Sequence, residues 1–557
     1  MKIRFTLWCV LAMSNPCSAA DLLIFGGPIY TGDSDHPRVE ALLIRGEKIV
    51  FAGALEQARR QAVDVRPVNL DSGAAYPGFA DSHAHLTGIG LNELELNLEQ
   101  VTSIESLVTA LKDWAKAHPG SDPITGRGWI ETHWPEKRFP TRADIDRAVT
   151  DRPVFLERAD GHAAIANSRA LALGGIDAKS VDPPGGKILR DETGAPTGML
   201  IDAAMERVSA KLPQLTYARR REALERAVAL YATRGWTAVH NMSATREDVT
   251  ILEELAKAHK LPIRVDNYLD VQYADEVLAK GPSQDSTGLV HVRGVKLYID
   301  GALGSRGAAL LANYSDAPGN GLLLTQPDEF ARILKRARAA NTQVATHAIG
   351  DRGNRLVLDA YASTFGTDAQ ALKRARWRIE HAQIIDPADI PRFGSMGVIA
   401  SMQPSHAIGD LYFAPARLGP DRLVGAYAWR RLLDTGATIV AGSDAPVEKG
   451  DPLIEFYAAT YRHDLEGRAG PDWHLEQAVS RSEALRMLTA APAYAVFRES
   501  ELGTLEAGKL ADLTIYSADI MTIEPAQILR ARPVMTIIGG SVLTISEPAA
   551  KPAGIGR

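Results

Sequence analysis

Apolar and polar positions follow two alternating rhythms along the middle of this chain. Short strand-like runs (YPGFADSHAH, WTAVHNMS, IRVDNYLD, VRGVKLYID, QVATHAIG, RIEHAQII, GVIASMQPS and TIVAGSDA) are separated by stretches with helical spacing, such as PDEFARILKRARAANT and SEALRMLTAAPAYAVF. Apolar strands alternating with amphipathic helices predict βα units around a parallel sheet. Eight such runs predict an α/β fold of the (β/α)8 TIM barrel type over residues 78–500. The run PVFLERAD, Pro153 to Asp160, stays outside that count. It lies within about 94–234, between strands one and two, and a stretch of that length is an inserted subdomain rather than a loop.

The two ends have a different texture. Residues 21–77 and 501–546 carry short apolar runs broken by Gly, Asp and Pro, as in DLLIFGGPIYTGD, ALLIRGEKIVFAG and VMTIIGGSVLTIS. They predict one small composite β-sandwich built from both termini, with residues 547–557 a disordered tail. Residues 1–20 read as a signal peptide: a basic Met1-Lys2-Ile3-Arg4, an apolar Phe5 to Met13, then small residues at Ser18-Ala19-Ala20. The expected location is therefore exported, in the periplasm. Ser14-Asn15-Pro16 makes a poor lipobox for lipid attachment at Cys17.

Composition narrows the chemistry. An apolar fraction of 45% and a charged fraction of 23% are those of a globular protein, and a net charge of −6 gives no basic cluster for nucleic acid. The apolar run at the start is too short for an integral membrane span. Both cysteines, Cys9 and Cys17, fall in the signal segment. The mature chain would then lack any thiolate ligand or thiol nucleophile. Nothing in the sequence fixes the oligomeric state, although a homodimer is compatible with it.

Six residues stand at the C-terminal ends of five strand-like runs: His83 and His85 in PGFADSHAH, Lys296 in VRGVKLYIDG, His347 in QVATHAIGD, His381 in WRIEHAQ and Asp444 in TIVAGSDAP. Barrel active sites collect residues from those ends. His83 and His85, at i and i+2 on a strand, can chelate one cation, with Asp81 positioned to orient a ligand. His347 and His381 can hold a second. Asp444 can bind metal and move a proton from the attacking water to the leaving group, unless it merely caps a helix. Lys296 is costly in an apolar strand unless it is ion-paired, with Asp300 or Asp351, or carboxylated. Imidazole and carboxylate donors suit one or two divalent metal ions, zinc first, with manganese, iron or cobalt as alternatives.

The ordered markers PGFADSHAH, RADGHAAIANSRAL, DPPGGKILRDETGAPTG, VKLYIDGALGSRGA, ATHAIGD, IEHAQ, GSDAP and GTLEAGKLADL resemble the amidohydrolase superfamily. Within it the chain is similar to amidohydrolase family 3, the YtcJ-like and N-substituted formamide deformylase-like enzymes. The resemblance implies the barrel with its composite β-domain, a metal centre on the strand ends, hydrolysis at carbon, and an N6-carboxylysine at Lys296.

Around that centre, His162 matches a family motif and is expected to act on substrate. Asn167 shares the motif and is expected to bind substrate, or else to cap the following helix. Trp129, His133 and Trp134 could wall a pocket or else pack as core or lid, Arg306 could bind a substrate carboxylate or carbonyl, and His406 beyond strand seven could line the mouth but reads first as a surface loop residue. The predicted function is a metal-dependent hydrolase of a small molecule. It would cleave a non-peptide linear C–N bond (amide, N-acyl or N-formyl) with a metal-activated hydroxide. Esterase, lactonase or cyclic amidase chemistry is the alternative on the same site, and an idle binding protein of the same fold is another.

Overall fold

The computed structural model describes residues 21–544 except 471 and 472. The signal-like segment and the tail from Glu547 lie outside the described residues.

Eight parallel strands form the barrel in chain order: Phe79–Ala84, Trp236–Ala244, Arg264–Asp270, Val290–Tyr298, Gln343–Ala348, Arg378–His381, Ile399–Met402 and Ile439–Ala441. These are the eight runs read from the sequence. Strand one and the end of strand eight meet just past their hydrogen-bonded ladders. Asp444 N–H donates to the His83 carbonyl at 2.6 Å, and His85 N–H donates to the Ala445 carbonyl at 2.9 Å. Gly442 permits that approach, since a Cβ there would lie 2.4 Å from His83 N.

The helix Tyr217–Arg234 shows how sequence places the barrel's outer layer. Thr216 caps its start by accepting from Arg219 N, and Gly235, at φ 95°, ends it in the left-handed conformation that glycine adopts without penalty. Its buried stripe is Ala223, Leu224, Ala227, Val228, Tyr231 and Ala232, the spacing of a helix with one apolar face. Tyr231 Oη donates to Asp81 Oδ2 at 3.0 Å on strand one. This helix therefore belongs to the barrel, and the inserted subdomain ends before it, well short of residue 234.

The insertion builds a six-stranded sheet of its own, running Gly186–Arg190, Pro196–Asp202, Ala163–Ala166, Val154–Arg158, Ile124–Trp129 and Leu96–Asn97 in spatial order. The helix Ile104–Ala117 buries Ile104, Leu107, Val108 and Leu111 against it. Strands from the two chain ends share one sheet. Leu513–Tyr516 pairs antiparallel with Ala74–Pro77, and a buried bidentate pair, Arg264 to Asp512 at 2.6 and 3.0 Å, fastens that sheet to barrel strand three. Among the described residues no helix is long and apolar enough to cross a membrane.

Candidate functional site

A cavity of about 770 Å³ opens at the C-terminal ends of the barrel strands, where the inserted subdomain leans over them. The barrel contributes His85, Lys296, His347, His381 and Asp444 to its lining, and the insertion contributes Arg158, His162 and Asp202. His83 lies beneath, wholly buried.

The imidazoles are held in one tautomer by what their Nδ1 atoms touch. His83 Nδ1 faces Glu380 Oε2 at 2.6 Å, His85 Nδ1 faces the Met242 carbonyl at 3.2 Å, and His381 Nδ1 faces Gln403 Oε1 at 2.8 Å. All three partners are acceptors, so Nδ1 carries the proton and Nε2 presents a lone pair. Those lone pairs meet another acceptor. Asp444 Oδ1 is 3.1 Å from His85 Nε2 and 3.5 Å from His83 Nε2. Two ligands at 2.0–2.1 Å on a tetrahedral ion are roughly 3.3 Å apart, so the spacing suits a shared divalent cation. Asp444 Oδ1 is also buried with no hydrogen-bond partner among the described residues, an arrangement that is costly without a bound cation.

The electrostatics match. Burial, then the positive charge of Lys296, pushes the His83 imidazole down to about 4, so it stays neutral. Burial raises the Asp444 carboxyl, but positive charge on the facing imidazoles of His83, His85 and His381 outweighs it and holds it well below the usual carboxylate range, a pull that a bound cation would supply where the rings are neutral. Burial likewise raises Glu380, yet Arg378 and His83 keep it ionised. Arg378 grips that carboxylate at 2.5 and 3.0 Å and also donates to the Ser82 carbonyl at 2.6 Å. Lys296 Nζ lies 3.1 Å from His83 Nε2, and burial pushes its amine down to about 8. Asp300 accepts instead from the backbone of Ala309, Ile349 and Gly350.

Two ligand-bearing residues, His381 at φ 71° and Asp444 at φ 58°, have left-handed backbones. Strand alternation would send Glu380 and His381 to opposite faces. The turn at His381 brings both to the centre: Glu380 touches His83, and the His381 ring lies 4.9 Å from the His83 ring. Non-glycine residues held in this region cluster at functional sites.

The chain matches the model of the amidohydrolase family over residues 66–544. It belongs to the amidohydrolase family. Relatives in that family include the Bacillus subtilis (strain 168) protein YtcJ, 32% identical over 93% of this chain and 98% of its own. The N-substituted formamide deformylase of Arthrobacter pascens is 26% identical over 93% of this chain and 97% of its own. Among solved structures, an uncharacterized metal-dependent hydrolase from Pyrococcus horikoshii superposes with a TM-score of 0.73, at 28% identity, over 91% of this chain and 99% of that one. The His/Asp donor groups of this amidohydrolase suit a divalent metal, in line with its metal-dependent hydrolase neighbour.

In this amidohydrolase the six strand-end residues read from the sequence converge, and His162 joins them: its ring is 5.1 Å from that of His347, and Asp202 Oδ1 holds its Nδ1 at 2.6 Å. Burial lowers that imidazole, but Asp202 reverses the sign and raises it overall. His347 lies 4.5 Å, ring to ring, from His381, with Nε2 turned to the Gly301 carbonyl at 3.5 Å.

Four other candidates do not line the cavity. Trp129 is sealed in the insertion's core, its indole N–H donating to the Leu156 carbonyl at 2.9 Å, and Trp134 is likewise buried. Neither lines the cavity, because both rings complete the packing of the insertion's sheet against its helix. Asn167 is a buried helix cap: Oδ1 accepts from Ala170 N at 2.9 Å and Val154 N at 3.0 Å, while Nδ2 donates to the Val149 and Arg152 carbonyls. No donor or acceptor of Asn167 remains for substrate. Arg306 is occupied by Asp316 at 2.8 and 3.1 Å, away from the cavity. The side chain of His133 lies outside the described residues.

His406 is not a surface loop residue: it is buried in the helix Pro404–Asp410 and takes the alternative place, lining the cavity, with Nε2 3.6 Å from Asp444 Oδ2. Glu380 and Arg378 went unnoticed, although opposite charges at i and i+2 in WRIEHAQ face one side of a strand. That was the available signal. Arg158 also reaches the cavity, neutralised by Glu131 at 2.8 Å and Asp160 at 2.5 Å.

Proposed function

We propose that this amidohydrolase cleaves a non-peptide linear C–N bond, releasing an amine from an N-acyl or N-formyl amine. One observation carries the reading: imidazole lone pairs from strand one and a partnerless buried carboxylate oxygen beyond strand eight converge in one cavity. Similarity to a formamide deformylase along 93% of the chain supports amide over ester as the bond cleaved.

His83, His85, His381 and Asp444 would hold the cation, with zinc the first choice for such donors. When bound, the metal acidifies water and polarises the scissile carbonyl. Asp444 accepts the proton released by the attacking water and returns it to the departing nitrogen. His162, fixed through Nδ1 by Asp202, which raises its imidazole and so favours the protonated ring, would donate from Nε2 to the carbonyl oxygen as charge develops there. Lys296, with a lowered amine, takes up CO2: a bond forms from Nζ to carbon, a proton leaves, and a carbamate oxygen becomes available beside His83. The signal-like residues 1–20 would place this activity in the periplasm, which fractionation of cells expressing the full chain tests.

The decisive experiment offers metal-reconstituted protein a panel of N-formyl and N-acyl amines beside matched esters, lactones and cyclic amides, and measures free amine released. Release of amine from linear amides supports the reading. Turnover of esters or lactones with no linear amide cleaved overturns it.

A further inference from the structure

We propose that the substrate carries a second amino group, protonated, a short chain away from the amide, and that Glu448 with Asp410 selects it. This rests on reading the cavity as the place where a linear amide is cleaved, and it adds the class of amine released, a diamine.

The charges that line the cavity do not balance. Besides the histidines, the basic side chains that reach it are Arg127, Arg158 and Lys296, and each is already engaged. Arg158 is held by Glu131 and Asp160. Arg127 lies 3.8 Å from Glu157 and donates to the Ala159 carbonyl at 2.8 Å, while Lys296 is buried against His83. No side-chain cation is left to receive a substrate carboxylate. Glu448 is the opposite case. It lines the cavity half-buried, and its carboxylate makes no hydrogen bond or ion pair among the described residues.

The helix Pro404–Asp410 shows where that carboxylate points. A Cβ on Gly409 would lie 3.3 Å from Glu448 Oε1, so the group rests against the last turn of this helix. The next residue, Asp410, also lines the cavity. Its Oδ2 accepts from Gln383 Nε2 at 2.7 Å and from Tyr427 Oη at 2.5 Å, which leaves Oδ1 free among the described residues. One turn back, His406 is only 8% exposed and its Nε2 has no hydrogen-bond partner among the described residues. Buried polar atoms are almost always partnered, and an ammonium group has N–H donors for several acceptors at once.

Electrostatics favour the same ligand. Burial pushes the Glu448 carboxyl up to about 7, with Asp410 and Asp444 adding to the rise and His406 opposing it. Burial raises Asp410 as well. A cation placed between the two carboxylates stabilises their charged forms and makes charge-assisted hydrogen bonds to them. The distance to the strand ends is short. Val447 N–H donates to the Asp444 carbonyl at 2.8 Å and closes a turn. Those two Cα atoms are then within about 7 Å, and Glu448 is one Cα step of about 3.8 Å further on. A chain of a few methylene groups joins an amide at Asp444 to an ammonium at Glu448.

The test uses the full chain loaded with Zn²⁺ and N-formyl amines of matched chain length that differ only at the far end: ammonium, methyl or carboxylate. kcat/KM should be highest for ammonium and lowest for carboxylate. The ratio of ammonium to methyl should be about tenfold or more, the size of one hydrogen bond to a charged group. In Glu448→Gln that ratio should fall toward one, and Glu448→Asp should restore part of it. A merely structural defect would lower both substrates together and leave the ratio alone. If Glu448→Gln fails to fold, the three end groups compared on the wild type decide. Equal kcat/KM for ammonium and methyl, or a preference for carboxylate, overturns the proposal while amide cleavage stands. So does a ratio unchanged in Glu448→Gln. Calorimetry of alkanediamines against alkylamines of equal length reads the cation site without turnover. Tighter diamine binding that Glu448→Gln abolishes supports the site even if no linear amide is cleaved, and equal binding overturns it.

Discussion

Oε2 of Glu380 lies 2.6 Å from Nδ1 of His83, and neither side chain has any exposed surface. Arg378 holds the other side of the same carboxylate. The pair fixes the His83 ring with Nε2 toward Asp444 and Lys296, while burial and Lys296 keep the ring neutral against the pull of Glu380. Glu380→Gln keeps the shape but removes the charge. Metal affinity should fall about 10–100-fold, or about 1.4–2.7 kcal/mol, measured by competition with a chromogenic chelator. Affinity unchanged from wild type would remove Glu380 from the account of the site.

Asp444 is proposed both to hold metal and to carry the proton. Asp444→Asn should keep the fold, checked by circular dichroism, and lose about 10²–10⁴-fold in turnover. Wild-type turnover in that variant would end its role as the proton carrier.

His162 comes from the insertion rather than from a strand end, and its part is separable. His162→Ala should lower kcat by about 10²–10³, the range for losing one donor to a developing oxyanion. Zinc content should not change. A variant that lost zinc but kept kcat per bound metal would show His162 to be structural.

Lys296 gives a pH dependence whose sign can be worked out. Burial lowers its amine from 10.5 to about 8 in the folded chain. The folded state therefore releases this proton before the unfolded state does. The destabilisation from burying the charge is present in full below about pH 8 and is relieved as pH rises from there toward 10.5. Only the neutral amine adds CO2, so carbamate should accumulate as pH rises through about 8. Carbon-13 NMR of metal-free protein in labelled bicarbonate would follow it. A carbamate signal flat across that range, or one persisting in Lys296→Arg, would contradict the assignment.

The barrel was legible in the sequence because each strand is a short apolar run and each helix an amphipathic one, and these periods survive burial. The six strand-end residues were legible because polar groups at the ends of apolar runs stand out. Side chains whose role depends on contacts distant in the chain were harder to read. Asn167 and Arg306 have chemistry that suits a substrate, but a helix end and Asp316 claim them. Trp129 and Trp134 could equally have walled a pocket or filled a core, and only the packing of the insertion decides between them. His406 follows a strand and reads as a surface loop residue or one at the mouth; its burial comes from where the helix after strand seven lands, which no local pattern encodes. The misplaced end of the insertion has a similar cause, since the helix Tyr217–Arg234 declares itself a barrel element through Tyr231 reaching Asp81.

The backbone bonds from Asp444 to His83 and from His85 to Ala445 are the stitches that shut the barrel's ring. The same short segments carry the donor atoms of His83, His85 and Asp444, which could hold a metal ion. An ion bound there acts as a clasp on the tertiary structure: taking it out and easing the ring open become one motion. The amides of His85 and Asp444 are thereby gauges of occupancy, slow to exchange their protons when the clasp is closed and faster once it is removed.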